Sequence, residues 1–429
     1  MANILDYLDW FGDIPFEQVP FNELDALVLA QLSYVNFTDV IPVIDSGESI
    51  TVQDASNKFF DMYNKQDLYQ ARGLISPYTP FLLQKMAKGS RYKDQRLSNL
   101  ASIIDKQNHE QFAAFCVHLP HDTTYISYRG TDGTLVGWRE DFMMSLKEVP
   151  AQKEALEYFQ SIANRLDGTF MLGGHSKGGN LAAYAATMAS ISLQDRIDTV
   201  WCMDSPGFDS NVIPTDKMMC ITDKIKLYVP EFCLVGALME QQATPTVIYS
   251  TQTGVVQHDA MSWQCMGTKF IRKDKCSDAA LKVQQDINTI AQSRDAKGKE
   301  KLTNSVFDGL QASGANKLGD LLDCSTEDYK KMFSALSKIE GEDVDTIVKL
   351  VGSLFVFSIN SVVAPIHGKI EQAKDRRQLP TQEEVSAEGL KQYRETKLLR
   401  DMQSSIVKLF NKNEEDQDQN EIQKRDPIE

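Results

Sequence analysis

The rhythm of apolar and polar positions changes several times along this 429-residue chain. In "FNELDALVLAQLSYVNF", Leu24, Val28, Leu32 and Val35 recur at helical spacing, so a helix is expected to begin near Asn22. "LYQARGLISPYTPFLLQKMAKGSRYKDQRLSNLASII" (68–104) reads as helical pieces interrupted by its prolines. Two short apolar runs, "EQFAAFCVHLP" and "TTYISYRG", flank the polar link at 120–122 and predict a β-hairpin. A loop and a short helix follow in "TDGTLVGWREDFMMSL". Then Ala155, Phe159, Ile162 and Leu166 mark a helix that Gly168 stops.

From Thr169 the pattern alternates. "TFMLGG", "IDTVWCMDSPG", "KIKLYVPEF", "TPTVIYS" and "TGVVQHD" are strand candidates, and "GNLAAYAATMAS" is a helix. Alternation of this kind predicts an α/β architecture with a mainly parallel sheet flanked by helices. After Ser277 the pattern is helical and polar without strand runs. The expected division is a sheet-bearing domain over 1–275, a helical C-terminal region over 276–411, and an acidic tail over 412–429 too poor in apolar anchors to fold. The apolar run 347–366 approaches bilayer-spanning length, but Lys349, Ser353, Ser358, Asn360 and Ser361 dilute it. It reads as a buried or interfacial helix, and as the place where the chain would touch a membrane surface.

Candidate chemistry centres on "TFMLGGHSKGGNLAAYA". Gly174-His175-Ser176-Lys177-Gly178 satisfies Gly-x-Ser-x-Gly, the sharp strand-to-helix turn that lifts a serine above the sheet edge. The flanking glycines leave space for the serine's strained backbone. A serine hydroxyl is a weak nucleophile and needs a base. In α/β-hydrolases the order is serine, acid, histidine. His109, His118 and His121 come too early, His175 belongs to the turn, and His367 lies in the helical region, which leaves His258. Asp204 and Glu231 each end a strand candidate and either can orient His258; Asp204, set in "DSPGF", is favoured. Two donors for an oxyanion are expected: the N–H of Lys177, at a helix N-terminus, and Thr131 after Arg129-Gly130. This chemistry requires no metal or cofactor.

The net charge of −15 argues against nucleic acid as a general partner. The N-terminus carries acids where a secretory signal would carry positive charge, which points to the cytoplasm. Seven scattered cysteines form no Cys-x-x-Cys pair and fit reduced thiols in a core.

Strand–Arg129-Gly130-Thr131, Trp138-x-x-Asp141 and Gly174-His175-Ser176-x-Gly-Gly together resemble the class 3 lipases of the α/β-hydrolase superfamily. "GHSKGGN", "DSPGF" and "QHDAMSW" are similar to the signatures of its bacterial Mbeg-like branch, over about residues 1–270. The resemblance implies an α/β-hydrolase fold, a hydrolase of lipid-like esters such as phospholipids or monoacylglycerols, an oxyanion role for Thr131, and anchoring roles for Trp138 and Asp141. It also keeps Glu231 in play, because the acid of those lipases usually follows the strand that "KLYVPE" represents. Lys177 stands where they commonly carry leucine. Trp138, Phe142, Met143 and Met144 are candidates for an acyl channel or a lid. Other readings are a catalytically silent scaffold working through its helical C-terminal region toward an unidentified protein partner, and an acyl-thioesterase or acyltransferase.

Overall fold

The computed structural model describes residues 2–336, apart from 64–77, 106–109, 132–134, 145–146, 210, 234, 237–240, 242, 279, 283, 286–294 and 317–324. The run 347–366, the tail 412–429, the rest of the helical region beyond 336, Cys324, His109 and His367 therefore lie outside the described residues. Among the described residues no helix is long and apolar enough to cross a membrane.

Helices α1 (Ile4–Phe11), α2 (Glu23–Leu32), α3 (Val52–Met62) and α4 (Thr79–Met86) belong to the first part of the chain, with strand β1 (Ser49–Thr51) between α2 and α3. Strands β2 (Arg96–Asp105), β3 (Glu110–Leu119) and β4 (Thr123–Tyr128) follow, then α5 (Leu135–Met144) and α6 (Pro150–Ala163). Strand β5 (Thr169–His175) leads into α7 (Lys177–Met188), and β6 (Ile197–Met203), β7 (Ile225–Pro230) and β8 (Thr246–Ile248) complete an eight-stranded sheet. Helices α8 (Ala296–Gln311) and α9 (Thr326–Leu336) come last.

The strands lie side by side in chain order, antiparallel from β1 to β4 and parallel from β4 to β8. Right-handed crossovers between parallel strands laid in sequence put every connecting helix on the same face. Accordingly α6 and α7 pack one face, where Phe159, Ile162, Leu181 and Ala182 meet Ile126, Leu172 and Val200. The opposite face receives no crossover helix and would be left wet. The N-terminal helices cover it: Leu27, Val28, Leu82 and Phe59 join Phe115, Val117 and Tyr125 in a second core.

Helix α2 is capped as the sequence anticipates, Asn22 Oδ1 accepting from the Leu24 N–H at 3.0 Å. Its burial is not the expected stripe, because all ten of its residues are buried. One side lies on the sheet, where Tyr125 and Ser127 hydroxyls donate to the Ala26 and Leu29 carbonyls (3.3 and 2.8 Å). At its foot the fully buried Asp25 accepts from Arg91 Nε and Nη2 (2.8 and 2.5 Å), from the Tyr7 hydroxyl (2.8 Å) and from Tyr92.

Two expectations are corrected. Residues 96–105, expected as a helical piece, form β2. Leu97, Leu100 and Ile103 recur every third residue, which imitates a helix. A register shift between Ser98 and Ala101, with Asn99 at φ 56°, displaces the alternation of an ordinary strand. "TGVVQHD", expected as a strand, holds a 3₁₀ turn over Gly254–His258. The free edge of β8 is taken by the segment near Arg272, with Tyr249 N–H bonded to the Ile271 carbonyl and Lys273 N–H to that of Val247. Of the cysteines, Cys116, Cys202, Cys233 and Cys265 are buried thiols as expected, whereas Cys220 is at the surface.

Candidate active site

Ser176 sits between the last residue of β5 and the first of α7 with φ 57° and ψ −129°. A non-glycine residue held there stores about 1–3 kcal/mol of strain, which the surroundings must enforce. The enforcement is visible at its neighbours. A Cβ on Gly174 would lie 2.3 Å from the Gly178 carbonyl carbon, and one on Gly178 would lie 2.2 Å from the Tyr128 carbonyl oxygen of β4. Only bare backbone lets α7 come this close to the sheet. The Ser176 N–H is fixed to the Met203 carbonyl at 2.8 Å.

At the end of the next strand Asp204 is also left-handed, φ 44°, its N–H bonded to the Tyr228 carbonyl at 2.7 Å. Its buried carboxylate accepts from His258 Nδ1 at 2.6 Å and from the Gly236 N–H at 3.0 Å. A carboxylate acceptor fixes the tautomer: Nδ1 of His258 carries the proton and Nε2 the lone pair. The His258 loop is anchored by the indole of Trp263, which donates to the Gln257 carbonyl at 2.8 Å, and by the Gln257 side chain, which accepts from Phe232 N–H at 2.8 Å. Glu231, the alternative acid, is turned elsewhere and pairs with Lys273 at 3.3 Å. Of the two carboxylates, the structure brings Asp204 to His258.

Thr131 is buried, and its hydroxyl donates to Asp141 Oδ1 at 2.6 Å. Burial pushes the Asp141 carboxyl up to about 7, against the opposing pull of the Lys177 charge and the Thr131 hydroxyl. Lys177 opens α7, where first-turn N–H groups have no intrahelical acceptor. Its ammonium does not point to solvent: it donates to Glu140 Oε2 at 2.6 Å, with side-chain exposures of 2% and 11%. The lysine is thus matched by a carboxylate that sequence reasoning missed.

Helix α5 lies against three members of the constellation. Trp138 sets its ring edge-on to His258 at 5.5 Å between centroids, Glu140 takes Lys177, and Asp141 takes Thr131. Of the apolar residues named for a channel or lid, Trp138 meets the site. Phe142 packs on Phe307 of α8 at 5.4 Å and Met144 belongs to the core beneath α6. Helix α8 packs on α5 through Phe307 and Arg139–Asp308; beyond the end of α5 Lys147 pairs with Glu300 (2.6 Å), and the Leu135 N–H bonds the Asn316 carbonyl at 2.8 Å. Ser176 is 3% exposed and His258 5%.

The family model described as Mbeg1-like matches residues 86–308, just over half of the chain. The chain belongs to the Mbeg1-like family. The match takes in every element of this Mbeg1-like site, from Thr131 to His258, and ends within α8. Three solved chains match; one of them, described as the crystal structure of M37 lipase, is 12% identical with a TM-score of 0.30, covering 51% of this chain and 70% of that one. No curated protein matches.

Proposed function

We propose that this Mbeg1-like chain is a serine hydrolase that cleaves carboxylic esters through an acyl-enzyme. Ser176 Oγ attacks the ester carbonyl while His258 Nε2 takes its proton and returns it to the leaving alcohol. Asp204 holds His258 in the tautomer this requires and stabilises the imidazolium that forms. The N–H groups of Lys177 and Thr131 receive the oxyanion, with the Thr131 hydroxyl tied back to Asp141. Water then attacks the acyl-enzyme by the same base and the acid is released.

The observation that carries this reading is the strained left-handed Ser176 at a strand–helix turn, whose preceding residue His175 lies against His258, itself bonded to a buried carboxylate. A scaffold has no use for that strain. Among the described residues Ser176 makes no hydrogen bond to His258; unliganded catalytic bonds often tighten only with substrate. Helix α5 touches His258, Lys177 and Thr131. Its Trp138, edge-on to His258, offers an apolar wall beside the scissile bond, which favours an acyl chain and hence a lipid-like ester. The test is labelling by a fluorophosphonate probe. Wild type is expected to label and Ser176→Ala not to; a folded wild type that stays unlabelled refutes the reading. Esters of graded acyl length then define the substrate, and a preference for short soluble ones counts against lipid.

A further inference from the structure

Two imidazoles stand face to face in this site. The rings of His175 and His258 have centroids 4.5 Å apart and planes inclined by 36°. A base next to a second base is a chemical ambiguity, since either can collect the proton. The structure resolves it through hydrogen bonds. His175 Nε2 lies 2.9 Å from the His258 carbonyl oxygen, which only accepts, so Nε2 carries the hydrogen. In the neutral ring His175 Nδ1 is then the acceptor, and the Tyr34 hydroxyl, 2.8 Å from it and 3.3 Å from the His175 carbonyl oxygen, donates to the nearer of the two. Both nitrogens are occupied, and the ring is buried and walled by Tyr34 and Trp263.

Tyr34 is itself held in place by the Arg129-Gly130-Thr131 segment. Arg129 grips the carbonyls on either side of it, Nε to Ser33 and Nη2 to Val35 at 2.8 Å. Gly130 clears its hydroxyl, because a Cβ there would lie 2.0 Å from the Tyr34 oxygen and 2.5 Å from the His175 carbonyl oxygen. The arginine and glycine of this motif thus serve Tyr34, while Thr131 serves the site.

We propose that His175 is a positioning residue: its Nε2–H holds the His258 backbone against the serine turn, and the Tyr34 hydroxyl at Nδ1 fixes the tautomer that puts the hydrogen on Nε2. This rests on reading Ser176 and His258 as nucleophile and base. Burial and the neighbouring His258 hold His175 well below the ordinary histidine range, in keeping with a neutral ring. The titratable and charged groups around the pair are Tyr34, His258 with Asp204 behind it, Asp141, Asp259 and Arg129.

The experiment measures fluorophosphonate inactivation of the full chain, as kinact and KI, from pH 5 to 9, with melting curves for every variant. His175→Leu removes the grip on His258, and kinact is expected to fall about 100-fold at every pH with KI little changed. His175→Gln keeps an N–H donor and cannot titrate, so it recovers at least about ten-fold of that loss, with one ionisation in the acid limb. Tyr34→Phe removes the Nδ1 partner that keeps the hydrogen on Nε2, so kinact is expected to fall about ten-fold with the shape of the pH profile unchanged. If His175→Leu does not fold, His175→Gln and Tyr34→Phe carry the test. A folded His175→Leu with wild-type kinact, or a Tyr34→Phe with wild-type kinact, overturns this inference while labelling at Ser176 still stands. A chain that is not labelled at Ser176 overturns both.

Discussion

Replacing Asp204 by asparagine separates orientation from charge while keeping the shape of the side chain. Asp204 Oδ1 accepts from Gly236 N–H at 3.0 Å and Oδ2 from His258 Nδ1 at 2.6 Å. In Asp204→Asn the amide oxygen keeps the Gly236 bond, so the NH2 group faces His258. Nδ1 must now accept, the imidazole proton moves to Nε2, and the lone pair that should receive the serine proton is gone. The charge is lost as well. An imidazolium and a carboxylate about 4 Å apart between charge centres, at an effective dielectric of about 20, attract by about 4 kcal/mol. At 1.36 kcal/mol per decade that is about three powers of ten in rate, before the tautomer is counted. Labelling and hydrolysis of a p-nitrophenyl ester are therefore expected to fall about 10³- to 10⁴-fold, with the melting temperature monitored in parallel. Glu231→Gln is the internal control. That carboxylate faces Lys273 at 3.3 Å with 26% of its side chain exposed, and its loss should leave the rate within about two-fold, since exposed pairs contribute about 0–1 kcal/mol. The reverse result, an active Asp204→Asn and an inactive Glu231→Gln, refutes the assignment of the acid.

Three other outcomes test the surroundings. Burial raises Asp141 from 3.8 to about 7, so between those values the folded chain holds a proton that the unfolded chain has released, and stability falls as pH rises through the window. In Asp141→Asn the loss of melting temperature from pH 5 to pH 8 should be smaller than in wild type; an equal loss refutes the shift. Gly178→Ala drives a Cβ to 2.2 Å from the Tyr128 carbonyl oxygen, which should destabilise the chain by about 1–3 kcal/mol in urea unfolding and slow labelling at Ser176; wild-type stability would mean the turn is looser than described. Arg91→Met leaves Asp25 buried without its cation, an expected loss of about 3–5 kcal/mol by the same measurement, and a neutral result would show that the Tyr7 and Tyr92 hydroxyls suffice.

Local rules made much of this protein legible. A strand, Gly-His-Ser-Lys-Gly and a small-residue helix specify a turn because steric exclusion acts between near neighbours, and Ser176 adopts the left-handed backbone that pattern requires. The hairpin of β3 and β4, the N-cap at Asn22 and the alternation from Thr169 onward are encoded over windows of a few residues. The pairing of His258 with a strand-end carboxylate was reachable by elimination because few histidines follow the serine.

Tertiary structure decided what those windows leave open. Asp204 and Glu231 both end strands, and only the order β5–β6–β7 and the path of the 254–258 turn determine which carboxylate an imidazole meets. The strand character of 96–105 was hidden because a bulge shifts its alternation, and pairing with β3 outweighs the helical spacing of Leu97, Leu100 and Ile103. Glu140, Tyr34 and the grip of His175 had no local signal. Each partner comes from a distant part of the chain, so its meaning exists only once two cores have closed on the two faces of one sheet. Short-range sterics fix the backbone of Ser176, while long-range packing chooses its company.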